Sequence, residues 1–189
     1  MKPTFDIELF RKAKNGGITP DERRRSQGAL YWMMEALCRI NQAEINNQKS
    51  LGKPFPLLYD SGIYYLREPP GEEQWQDIYV NFAKSNGDCE DLACHRVAEL
   101  REIYKLPASP FVTFRKVDGA QFGFHALVAV RDQAGPNGWR LEDPSRKLGM
   151  GWEEKFAATP RDKRKALMNA IDPIQRTVSH QMLKDMRRV

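Results

Sequence analysis

Histidine and cysteine are scarce in this chain of 189 residues, with three of each. Three cysteines cannot all pair, so a reducing compartment with free thiols is expected in preference to a disulfide framework. The sequence contains no CxxC pair and no second cluster of ligands, which argues against a closed four-ligand zinc site. Phosphate-loop, EF-hand and dinucleotide fingerprints are also missing, so no metal or cofactor is expected. Long apolar runs are missing too. The longest mainly apolar stretch, FHALVAV from Phe124 to Val130, is far short of the ~20 residues a bilayer requires. Acidic residues interrupt the apolar stretch of MKPTFDIELF, so it does not read as a secretory signal, and a cytoplasmic protein without a membrane partner is expected.

What is present fits a single folded domain. Hydrophobic residues make up 41% and charged residues 29%, which is enough to bury a core at this length. The net charge is +5. The positive residues gather at Arg23 to Arg25, Arg161 to Lys165, and Lys184, Arg187 and Arg188. These are dispersed clusters without a recognition motif, so they read as solvated surface and not as a nucleic-acid site.

Thr19-Pro20-Asp21-Glu22 supplies a capping hydroxyl, a proline for the first turn and acids facing the helix dipole. It predicts a helix to about Gln48 with Leu30, Met33, Met34, Leu37, Ile40 and Ile45 inward, and Cys38 as a small core residue. The proline- and glycine-rich stretch Leu51–Gly71 predicts a packed loop with at most a short strand. Helices are then expected at about Glu72–Lys84 and Cys89–Tyr104. The period next changes to two, predicting strands at Phe111–Val117, Phe122–Arg131 and Gly138–Asp143 in an antiparallel meander. Further helices are expected near Arg161–Ala170 and Ile174–Met186. The order is that of an α+β domain over residues 1–189.

Chemistry concentrates at SNGDCEDLACH. Cys89 falls where a break becomes a helix, in the positive end of the helix field that favours thiolate. Glu90 and Asp91 oppose that effect, so a cation is needed, and imidazolium suits the role. His95 lies six residues on, about 240° past a full turn, and points away as a surface residue. Cys94 is rotated by about 140° from Cys89, so the two thiols do not share a face. His180 has no positional argument. His125 sits in the apolar middle strand and stays open between a core residue and a catalytic base. Alternation along the last strand turns Trp139, Leu141 and Asp143 inward and Arg140 and Glu142 outward, which makes Asp143 the carboxylate to orient an imidazole. Besides the Cys89 backbone N–H, Asn86 and Asn81 are candidates for an oxyanion donor.

The ordered set GDCEDLA at a helix start, FHALVAV on a strand and EDP ending the next strand resembles the transglutaminase-like superfamily of papain-like cysteine enzymes. The separations are 36 residues from Cys89 to His125 and 18 from His125 to Asp143. The resemblance implies a papain-like core at about 51–150, a Cys-bearing helix on the β meander, and helical extensions at 1–50 and 151–189. It also implies a thiol hydrolase with Cys89 as nucleophile, His125 as base and acid, and Asp143 as orienting carboxylate. REPPGEEQW before GDCEDLACHRVAELR further resembles small transglutaminase-like proteins of tailed bacteriophages. That likeness implies a protein or peptide substrate, other phage structural proteins as partners, and a place in the host cytoplasm or the virion. An assembly protein that keeps the fold with little catalysis is the alternative.

Overall fold

The computed structural model describes residues 20–68, 74–116 and 122–151, a mixed helix-and-sheet protein. Helix α1 (Pro20–Ser50) opens with Asp21 and Glu22 in its first turn. Its buried stripe runs Leu30, Met34, Leu37, Cys38, Asn41 and Ile45, the three- and four-residue spacing of one helix face. Ile40, expected inward, lies off that stripe and is 56% exposed. Asn41 occupies the core instead, where its side-chain oxygen accepts from the Ile78 backbone N–H at 3.0 Å.

The loop after α1 holds a 3-10 turn at Leu58–Asp60 and a two-residue strand, β1 (Tyr64–Tyr65). Helix α2 (Ile78–Lys84) starts later than the sequence predicts because Asp77 caps it, accepting from Val80 N–H at 2.9 Å. It ends at Ser85 in the left-handed region, φ 57°. Strand β2 (Asn86–Gly87) then pairs in parallel with β1, Tyr64 opposite Asn86 and Tyr65 opposite Gly87. This short bridge, invisible to alternation, fixes the approach to helix α3 (Cys89–Glu102). Gly87 is required there: a Cβ would come within 2.9 Å of Asn81 Oδ1 and 3.1 Å of Asp91 Cβ.

The sheet is the expected antiparallel meander, β3 (Ala108–Lys116), β4 (Phe122–Arg131) and β5 (Trp139–Glu142), in that spatial order. Val112, Ala126, Val128 and Val130 face inward and form one core with α1 and α3. Helix α1 also covers the β3 edge, with Gln27 Nε2 donating to the Val112 carbonyl at 2.9 Å; a side chain thus blunts a free strand edge. The phase of β5 is the reverse of the expectation. Val128 pairs with Glu142 and Ala129 with Leu141, so Glu142 shares the core side while Trp139 and Leu141 are 38% and 54% exposed. The strand is set by its ladder to β4, and its own hydrophobic residues face outward. Helix α4 (Pro144–Lys147) follows. The expected helices at 161–170 and 174–186 lie outside the described residues. No helix among the described residues is long and apolar enough to cross a membrane.

Candidate active site

Helix α3 is buried along nearly its whole length. Its start is fixed by a capping box between Asp88 and Asp91, with the Asp88 N–H donating to Asp91 Oδ2 at 3.3 Å. Cys89 occupies the first turn with its side chain turned to the sheet, where the Ala126 backbone N–H donates to the sulfur. That contact is possible because the β5 ladder reaches only Val128. Past its end, β4 meets the helix start directly.

His125, the residue before Ala126 on β4, is met by Asp143. His125 Nε2 lies 3.0 Å from Asp143 Oδ2, and the two side chains are 12% and 22% exposed. Asp143 is the first residue after β5 and caps α4, its Oδ1 accepting from Arg146 N–H at 3.1 Å. Both side chains belong to the outer sheet face, since His125 alternates with the inward Ala126. Asp143 therefore reaches the imidazole from the side opposite to the one expected. Because Asp143 takes Nε2, the other ring nitrogen, Nδ1, is left for a reacting group.

The thiol differs from the expectation of an activated thiolate. Cys89 Sγ donates to Glu90 Oε2 at 3.2 Å. Burial, then the Glu90 and Asp88 carboxylates, push its pKa well above the usual thiol value against the help of the Ala126 N–H. In this state Cys89 is a neutral thiol. The helix-end field is outweighed because the Glu90 and Asp88 carboxylates stand beside the thiol and neither is solvated.

Asp88, Glu90 and Asp91 are all buried, with carboxylate oxygens within 4.8 Å of one another, the one such group among the described residues. Oxygen ligands of this kind suit a hard cation. Asp91 is already bonded by backbone N–H groups, from Gln76 at 2.7 Å on Oδ1 and from Asp88 on Oδ2. The spacing of the three acids at positions 88, 90 and 91 shows that they cannot all face solvent once the helix is central.

Neither of the two candidate oxyanion amides is hydrogen-bonded to the sulfur among the described residues. Asn86 Nδ2 donates to the Lys84 carbonyl at 2.9 Å. Asn81 is fully buried beneath Gly87, and neither of its amide atoms has a partner among the described residues. His95, expected on the surface, is fully buried edge-on against Phe55 and Phe82, at 6.1 and 5.4 Å between ring centroids. Cys38 and Cys94 are fully buried, and Cys94 Sγ donates to the Met34 carbonyl at 3.4 Å.

A charged cluster below the site was not foreseen. Arg96 Nε binds Glu142 Oε1 at 2.8 Å, and its guanidinium also binds Glu99. It lies over the rings of Tyr59 and Tyr104, at 4.8 and 5.4 Å from their centroids. Tyr59 donates to Glu142, and Glu99 Oε1 accepts from the Leu58 N–H at 3.0 Å. This cluster anchors the residue just before Asp143. No family model, curated protein or solved structure matches the chain.

Proposed function

We propose that this protein is a cysteine acyl-transfer enzyme with a transglutaminase-like, papain-related core, hydrolysing an amide through Cys89, His125 and Asp143. The observation that carries the reading is the His125–Asp143 pair at 3.0 Å, formed where Ala126, the next residue, holds the Cys89 sulfur. Asp143 accepts the Nε2 proton, fixing the tautomer with a basic Nδ1. Nδ1 takes the thiol proton as sulfur bonds to the carbonyl carbon. The same proton passes to the departing amine as the C–N bond breaks. Water then attacks the thioester, giving one proton back to sulfur through His125 and releasing the acid. A primary amine in place of water would make the product a new amide.

A second reading rests on the Cys89–Glu90 bond. A thiol held neutral by a buried carboxylate suits a phage particle or assembly protein that keeps the fold without turnover, since fold does not fix activity.

Alkylation by iodoacetamide, followed by mass spectrometry, separates the two. Under the enzyme reading, Cys89 alone is modified in the folded protein, because Cys38 and Cys94 are fully buried. His125→Ala then slows the reaction by roughly tenfold or more, the scale of general-base assistance. A Cys89 rate unchanged by His125→Ala would leave the assembly reading. Glu90→Gln is expected to move the onset of Cys89 alkylation to lower pH by about one unit or more, because the negative charge beside the thiol is removed. An unmoved profile would show that Glu90 does not hold the thiol.

A further inference from the structure

The outer face of the sheet carries more than the His125–Asp143 pair. Phe111 pairs with Leu127, and Ala129 with Leu141, so apolar side chains continue along that face from the imidazole. Beyond them a groove of about 530 Å³ opens between α1 and the sheet, lined by Gly28, Tyr31, Phe111, Ala129 and Trp139 among others. Gly28 belongs to a long helix where alanine would be favoured by about 1 kcal/mol, yet a Cβ there would have no atom of the described residues within 4 Å. The bare helix surface at Gly28 leaves room in the groove.

Charge frames the groove from both sides. Arg24 lines it from α1. Across it, the Arg131 guanidinium lies 5.5 Å from the Trp139 ring centroid. Among the described residues the one carboxylate paired with Arg24 is Asp21 at 3.6 Å, with both side chains at least 75% exposed, a pair too solvated to neutralise the site.

We infer that this groove binds an extended peptide segment whose large apolar side chain, aromatic or aliphatic, is flanked by Asp or Glu. Ala129 is four residues from His125 on the same strand face, about 13 Å at roughly 3.3 Å per residue. A side chain about four residues from the scissile amide therefore reaches the groove while the amide lies at His125. The role as a substrate path rests on the acyl-transfer reading; the binding itself does not.

The test uses full-length protein carrying Cys89→Ala, so that turnover plays no part. The probe is a fluorescent twelve-residue peptide alternating Glu with Phe and carrying one benzophenone side chain. The control peptide replaces each Glu by Lys. Expected results are saturable binding of the acidic peptide, binding at least tenfold weaker for the Lys control, and a loss of at least tenfold in Gly28→Leu. Photocrosslinks are expected at Tyr31, Phe111 or Trp139. Helix propensity favours leucine over glycine, so Gly28→Leu retains its fold, checked by thermal melting. Equal binding of the two peptides, or binding unaffected by Gly28→Leu, overturns the inference. So does a dimer in sedimentation that Gly28→Leu dissociates, which would make a second copy the occupant. Failure of iodoacetamide labelling to depend on His125 overturns the enzyme reading while leaving peptide binding intact.

Discussion

Arg96→Met is expected to lower folding stability by about 3–5 kcal/mol, the usual result of removing one partner from a buried ionic cluster. Arg96 is the only cation bonded to Glu99 among the described residues, and the Glu99 side chain is fully buried. Burial raises the Glu99 pKa, and Arg96 is the main group opposing that rise. For Glu142, burial also pushes upward, but the Tyr59 hydroxyl and Arg96 outweigh it and hold the carboxyl below its usual range. Methionine keeps much of the side-chain bulk over the Tyr59 and Tyr104 rings while leaving the buried Glu99 without its cation and Glu142 with only the more distant Arg140, at 3.5 Å. Urea unfolding measures the loss, and adding Glu99→Gln should recover part of it, because the remaining group then needs no counter-charge. The effect extends to the candidate site. Glu142 is the last residue of β5 and Asp143 the next, so releasing the first loosens the second. Iodoacetamide labelling of Cys89 in folded Arg96→Met should lose much of its dependence on His125. A stability within about 1 kcal/mol of the parent would show the cluster to be a surface feature.

The local signals in the sequence were reliable where a residue acts through its own backbone. Pro20 with its acids marks the start of α1, Gly87 the break before α3, and FGFHALVAVR the full extent of β4. The antiparallel order followed from short connections. What could not be read was set by packing at a distance. Trp139 and Leu141 look like core residues, yet the ladder from Val128 to Glu142 decides their side, and nothing within β5 reports that register. His95 looks like a surface residue by its spacing from Cys89, but α3 is covered on every side, so spacing from one buried position no longer identifies an exposed one. The same central placement buries Asp88, Glu90 and Asp91 and gives Cys89 a field opposite in sign to that of the helix end. For the site, motif order located His125 and Asp143, whose pairing the geometry displays. It gave no hint of Glu90 as the acceptor of the thiol proton, because that bond depends on solvent being excluded from the first turn.

Burial of His95 makes a second strong prediction, on pH. Desolvation, with a smaller contribution from Arg96, lowers its pKa from 6.5 to about 3, and neither ring nitrogen has a partner among the described residues. The unfolded chain therefore binds more protons than the folded one between pH 6.5 and about pH 3, so this residue makes stability rise with pH across that window. On acidification the loss should reach about 2 kcal/mol at pH 5 and about 5 kcal/mol near pH 3, at 1.4 kcal/mol per unit. Asp91 works in the opposite sense. Burial, then the Asp88 charge, raises its pKa from 3.8 to about 8, so its contribution is complete below pH 3.8 and fades as pH rises toward 8. The two slopes oppose each other between about pH 4 and pH 6.5, and the parent protein should show only a shallow dependence there from these groups. His95→Leu, close in volume and without polar atoms to desolvate, removes one slope and leaves the other. The variant should match or exceed the parent at pH 7 and gain on it steadily below pH 6.5. Asp91 cancels from the difference between the two proteins, so paired urea titrations report His95 alone. A difference that stays flat from pH 7 to pH 4 would mean that His95 becomes protonated in the folded state, through an opening of the Phe55–Phe82 contact.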